Sequence, residues 1–122
     1  MSEKEIELFN QGIICFNNKE YYDAHEYWEE LWLNYKLEDA KFVQGLIQLA
    51  VSYFHFFNDN LKGAKSMLDK SKLKFSDCSF SYGIDVKTLV SEISKVQKCY
   101  NSMSEKLDYK GLYRITLKID NE

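Results

Sequence analysis

The sequence predicts an all-α fold, a single-domain antiparallel array of about five helices with an extended C-terminal tail. Three observations carry that expectation. Apolar residues recur at helical spacing in five segments, the 122 residues contain no proline to interrupt them, and strand-like alternation is confined to the C-terminal tail. Residues 3–17 place Ile6, Phe9, Ile13 and Phe16 on one helical face, and Asn17 and Asn18 supply the break. Residues 20–35 align Tyr21, Ala24, Trp28, Leu31, Trp32 and Tyr35. Residues 38–57 are the strongest segment. Phe42, Val43, Leu46, Ile47, Leu49, Ala50, Tyr53, Phe54, Phe56 and Phe57 cover most of the circumference, as expected of a helix central to its fold. Asp59 or Asn60 can cap a helix over about 60–75, with Leu61, Ala64, Leu68 and Phe75 inward. Residues 76–84 lack periodicity and read as a loop. Asp85 can cap a last helix near 86–104, carried by Val86, Leu89, Val90, Ile93, Val96, Tyr100 and Met103. From Gly111 to Asp120, Leu112, Ile115, Leu117 and Ile119 partly alternate, which predicts an extended segment laid along the helices.

Composition narrows the function classes. The chain is 45% hydrophobic and 29% charged, too apolar for disorder and long enough for one core. No apolar run approaches the roughly 20 residues of a membrane span, and the acidic start Met-Ser-Glu-Lys-Glu is unlike a secretory signal, so a cytoplasmic protein without a membrane partner is expected. The basic set is 15 Lys and a single Arg, Arg114, against 19 acidic residues, a balance that argues against a nucleic-acid binder. Charge is uneven: residues 1–40 carry a net −7 and residues 41–122 a net +4. The lysines between Lys62 and Lys74 read as a solvated helix face. Cys15, Cys78 and Cys99 are widely spaced and form no CxxC pair, which fits reduced thiols. Tyr22, Ala24 and Trp28 suggest a tetratricopeptide helix pair, but residues 38–75 do not repeat those positions.

One stretch carries candidate chemistry. In His25-Glu26-Tyr27-Trp28-Glu29-Glu30-Leu31-Trp32, a turn of about 100° per residue brings His25, Glu29 and Trp32 within about 60° of each other. They fall on the shoulder of the apolar face, whereas Glu26 and Glu30 project to solvent. On the next helix Gln44, Gln48, Val51 and His55 form one polar stripe that needs partners. These patterns predict a seam between the second and third helices containing His25, Glu29, Gln44, Gln48 and His55, with Trp32 and Glu26 at its border. Two imidazoles and a carboxylate suffice to hold a divalent metal such as zinc, iron or manganese, so His25, Glu29 and His55 are the candidate ligands. The alternative is a hydrogen-bonded polar network with no ligand.

The stretch Tyr21-Tyr22-Asp23-Ala24-His25-Glu26-Tyr27-Trp28-Glu29-Glu30-Leu31-Trp32 resembles the signature of the small bacterial and archaeal family called domain of unknown function 309, whose pattern of His, three residues, Glu, two residues and an aromatic falls here on His25, Glu29 and Trp32. Phe42-Val43-Gln44-Gly45-Leu46-Ile47-Gln48-Leu49-Ala50, followed by Tyr53, His55, Asn60, Gly63 and Ala64, resembles it as well. The likeness covers about residues 8–75 and returns at Gly83-Ile84-Asp85-Val86. It implies an all-helical fold and no established activity. A metal-binding role suggested for the family's motif would rest here on His25 and Glu29. Tyr53 stands where many members have a smaller residue, which implies a reduced cavity beside His55. Two functions therefore compete on the sequence: a metal-dependent enzyme or metal-site protein at the seam, and a non-catalytic helical module that binds a protein partner. A small-molecule ligand and an oligomer are compatible with either.

Overall fold

The computed structural model describes residues 2–78 and 80–119. Five helices account for most of them: α1 (Glu3–Asn17), α2 (Tyr21–Asn34), α3 (Ala40–Phe57), α4 (Leu61–Lys74) and α5 (Val86–Asn101). Each packs on the next in sequence. Connections of three to five residues join the first four, so these neighbours run antiparallel.

Local chemistry sets the helix ends. Ser2 and Glu5 form a reciprocal capping box at α1, and the side chains of Asp39, Asn60 and Asp85 accept the first free amides of α3, α4 and α5. Thr88 bonds the Asp85 carboxylate through both hydroxyl and amide, which holds that carboxyl below its ordinary range. Helices α1 and α3 close with the same double bond pattern. Glu20 N–H reaches Cys15 O and Lys19 N–H reaches Phe16 O; Asn60 N–H reaches His55 O and Asp59 N–H reaches Phe56 O. The closing residues Lys19 and Asp59 have φ of 67° and 60°, a left-handed backbone usually given to glycine.

The core is one aromatic-rich cluster. Helix α3 is its centre, with Phe42, Val43, Leu46, Leu49, Ala50, Tyr53 and Phe56 fully buried. Small residues let the neighbouring helices approach. Gly12 of α1 lies directly under the Trp28 indole of α2, whose Nε1–H donates to Phe9 O at 3.1 Å. Gly45 of α3 faces the Phe75 ring, and the buried Ser71 hydroxyl of α4 donates to Gly45 O at 2.7 Å. Ser52 donates to Ala64 O and shares a bond with the buried Tyr100 hydroxyl of α5. One expectation fails on α1. Its buried face is Leu8, Phe9, Gly12, Ile13 and Phe16, and Ile6 is exposed, because the contact with α2 centres on Gly12.

The segment read as a loop contains a minimal hairpin. Strands β1 (Phe80–Ser81) and β2 (Ile84–Asp85) pair antiparallel through Tyr82 and Gly83, both at positive φ as a two-residue turn of this kind requires. Two residues per strand leave no alternation to detect. Asp39 ties the hairpin down by accepting from Cys78 Sγ and from Ser81 Oγ, and the Tyr82 ring stacks on Phe9 and Phe42.

The tail follows the expected course along the helices, and Leu112, Ile115 and Leu117 are buried. Asp120, the last residue of the segment expected to be extended, lies outside the described residues. Side chains stand in for a neighbouring strand. Asn17 exchanges two hydrogen bonds with the Leu117 backbone at 2.8 and 2.9 Å. The Tyr53 hydroxyl donates to Tyr113 O at 2.8 Å and accepts from Ile115 N–H at 2.9 Å.

Replacing Asn17 by Ala should cost about 1–3 kcal/mol in denaturant unfolding, because two partly buried backbone groups lose their partners at once. The Leu117 amide should lose protection from hydrogen exchange in the same variant. Alkaline pH should also destabilise the fold. Burial pushes the Tyr21, Tyr53 and Tyr100 hydroxyls above the ordinary tyrosine value, so the unfolded chain ionises first. Stability is full below about pH 10 and falls above it. Tyr53→Phe should flatten that fall in a pH series of unfolding curves.

Candidate functional site

Of the residues expected in the seam, the two imidazoles are linked through aromatic rings and Glu29 stands apart from them. His25 is half-buried on α2, and its Nδ1 lies 2.6 Å from Tyr22 O. A carbonyl only accepts, so Nδ1 carries a proton, and Nε2 has no hydrogen-bond partner among the described residues. His55 is half-buried on α3. A chain of ring contacts joins the two imidazoles: His25 to Tyr22 at 4.9 Å, Tyr22 to Phe54 at 5.3 Å and Phe54 to His55 at 6.2 Å between centroids. Gln44, Gln48 and Trp32 are also half-buried, and Gln48 Oε1 is buried with no partner among the described residues.

Glu29 departs from the expectation. It is exposed, as Glu26 and Glu30 are, and no hydrogen bond joins it to His25 among the described residues. The reason is angular. The buried face of α2 is Tyr21, Ala24, Trp28 and Leu31, and Glu29 stands about 120° from its centre while His25 stands about 80° away. Among the described residues no group of three His, Cys, Asp or Glu side chains could hold a metal ion. The donor set of His25, Glu29 and His55 expected for zinc, iron or manganese is therefore not gathered among them.

Two concave regions lie elsewhere. The larger, about 700 Å³, runs between the start of α5 and the tail and is lined by Ile84, Asp85, Thr88, Leu89 and Glu92 on one side and by residues 113, 114 and 116–119 on the other. Tyr113 crosses it by donating to Glu92 at 2.7 Å. The tail backbone gives this groove its character. In extended chain the polar groups of alternate residues point to opposite edges. The groups of Tyr113, Ile115 and Leu117 face Asn17 and Tyr53, so those of Arg114, Thr116 and Lys118 face the other way. Among the described residues the amides of Arg114, Thr116 and Lys118 have no hydrogen-bond partner.

The smaller cleft, about 310 Å³, sits where α1 and α3 end and α2 begins. Tyr21, Tyr22, Phe54, Phe57 and Arg114 form its walls, with Lys19, Glu20, Asp23 and Asn58 at the border. Arg114 lies over the Phe57 ring at 4.3 Å and over Tyr21 at 5.4 Å, and its Nε–H donates to the Tyr21 hydroxyl at 3.2 Å. Burial raises the Tyr21 hydroxyl above its ordinary value, and the guanidinium beside it offsets part of that rise. The sequence reading gave neither region a role. The only available signal was that the chain's single arginine falls in the tail.

The exposure of Glu29 yields a test. Glu29→Gln should change unfolding stability by less than about 0.5 kcal/mol, the ordinary range for a surface substitution. A paired, sheltered carboxylate would cost clearly more.

An uncharacterized protein of Aquifex aeolicus (strain VF5) is 26% identical over 95 residues, which cover 76% of this chain and 28% of that protein. The chain thus spans little more than a quarter of the relative it matches. Residues 9–67, from the middle of α1 into α4, match the family described as domain of unknown function (DUF309), and the resemblance of this chain to that family rests on those residues.

Proposed function

We propose that this chain is a non-catalytic protein-interaction module that takes an extended partner segment into the groove between the tail and α5. The observation that carries the reading is the free edge of the tail. One edge is fully occupied by Asn17 and Tyr53, and the other offers the unpartnered amides of Thr116 and Lys118 to a groove of about 700 Å³. An unpaired edge of extended backbone is a ready template for one more strand, with main-chain bonds supplying affinity and side-chain pockets supplying specificity. Ile84 and Leu89 floor the groove for apolar side chains of the incoming segment, and Asp85, Glu92 and Lys118 supply charges along it. His25, Gln48 and His55 have structural roles only in this reading. The matched region occupies 28% of the Aquifex protein, a share that suits a module set beside further chain.

Selection from a displayed library of random ten-residue peptides tests the proposal. Enriched peptides should alternate apolar and polar residues, and bound peptide should protect the Thr116 and Lys118 amides from hydrogen exchange. Thr116→Pro removes one donor from the free edge and leaves the Asn17 and Tyr53 bonds intact. It should abolish peptide binding with little change in helix content. Peptide binding that survives Thr116→Pro, or protection that maps to α2 and α3 instead, overturns the reading.

A further inference from the structure

The Arg114 cleft is a separate matter from the tail edge. Guanidinium has five N–H donors in a planar fork. In Arg114 the Nε–H is spent on Tyr21, and the four N–H of the two terminal nitrogens have no partner among the described residues. No carboxylate lies within ion-pair distance of it there; the ion pair present among the described residues is Lys41 with Asp77. The charge is also held in place. Two aromatic faces and a hydroxyl fix the fork, so the entropy that a free arginine loses on binding is already spent. A half-buried cation without a counter-charge is costly, and here it has been built into a cleft and not turned to solvent.

We infer that the cleft binds a small organic anion, with a carboxylate or phosphate group on the Arg114 fork and an apolar or planar body against Tyr22 and Phe54. Paired oxygens of either group match the fork in a bidentate bond. A cleft of about 310 Å³ stands at the small end of ligand pockets, roughly 300–1,000 Å³, which limits the occupant to a small molecule. Tyr22 is 50% exposed and offers its ring to that body. The first amides of α2 support the assignment. Its N-cap residue, Glu20, makes no side-chain cap; Tyr21, Tyr22 and Asp23 line the same cleft, and their N–H groups have no partner among the described residues. Lys19 adds a second positive charge at the border. Glu20 and Asp23 oppose an anion there, and they set a limit on affinity that a variant can remove.

The probes are phenyl phosphate, benzoate and inorganic phosphate, added to the full chain in low-chloride buffer. Binding is read by nuclear magnetic resonance at the Arg114 Nε–H and at the amides of residues 21–23. Phenyl phosphate or benzoate should give saturable shifts at all of these signals below about 20 mM, a weak-ligand range. Which of the two binds more tightly identifies the anionic group. Arg114→Lys keeps the charge and removes the fork, and should weaken binding about tenfold, the loss of one charge-assisted hydrogen bond. Asp23→Asn leaves Arg114 untouched and should tighten binding severalfold by removing a like charge. It therefore keeps the test decisive if the Arg114 variant disturbs the tail. Failure to saturate, unchanged affinity in both variants, or shifts confined to Lys19 overturns the inference. Inorganic phosphate binding as tightly as phenyl phosphate shows an adventitious ion only. Thr116→Pro should leave these shifts in place, which separates this site from the peptide groove.

Discussion

Helix α3 has to bury apolar side chains over about half of its circumference, and the other elements are arranged by that requirement. Phe42, Leu46, Leu49, Tyr53 and Phe56 point inward, where the rings of Phe16, Tyr21 and Tyr100 pack against them. The two flanks of α3 are different in kind. On one side Gly45 and Ser52 carry almost no side chain, so α4 approaches until Ser71 and Ala64 bond or touch the α3 surface. On the other side the Phe54 ring meets the Tyr22 ring of α2 at 5.3 Å between centroids. The half-buried stripe of Gln44, Gln48, Val51 and His55 lies between these flanks, on the part of α3 that faces away from the core.

The tail shows how a helical domain keeps an extended segment without a sheet. Buried backbone groups need partners, and a lone strand has none of its own. Here an amide side chain at the end of α1 and a phenol in the middle of α3 supply them, each giving and accepting one bond. The arrangement satisfies one edge, and the amides of the other have no partner among the described residues. It also brings Arg114 over Tyr21 and Phe57, at the junction where α1 and α3 end. Both of the concave regions described above therefore depend on the tail, and Arg114 borders both of them.

His25 and Glu29 make a contrast. His25 is sheltered and oriented by the Tyr22 carbonyl, and its ring meets a run of edge and tilted contacts through Tyr22 and Phe54 to His55. Glu29, one turn further on, reaches solvent. Four-residue spacing places two side chains on the same side of a helix, but it does not say how far round the helix the buried face extends. That extent is set by what packs against α2. Because Gly12 admits the Trp28 ring, the contact centres on Trp28 and Ala24 and turns Glu29 outward.

The sequence by itself determined the five helices, their approximate ends, the central place of α3 and the course of the tail. These features rest on local rules. Apolar periodicity marks the buried face, Asn60 and Asp85 were legible as caps, and one alternating segment was legible as extended chain. The candidate regions were not legible to the same degree. On α2 the half-burial of His25 follows from its angular position, whereas the exposure of Glu29 does not follow from spacing. The tail groove and the Arg114 cleft join residues about 30 and 90 positions apart, such as Asp85 with Lys118 and Tyr21 with Arg114. The hairpin at Tyr82 and Gly83 was hidden because two-residue strands have no period. Only the tertiary structure decides which edge of the tail is filled and where the single arginine comes to rest. Those outcomes depend on Asn17 and Tyr53 meeting backbone groups far along the chain, and periodicity within one segment carries no record of contacts between segments.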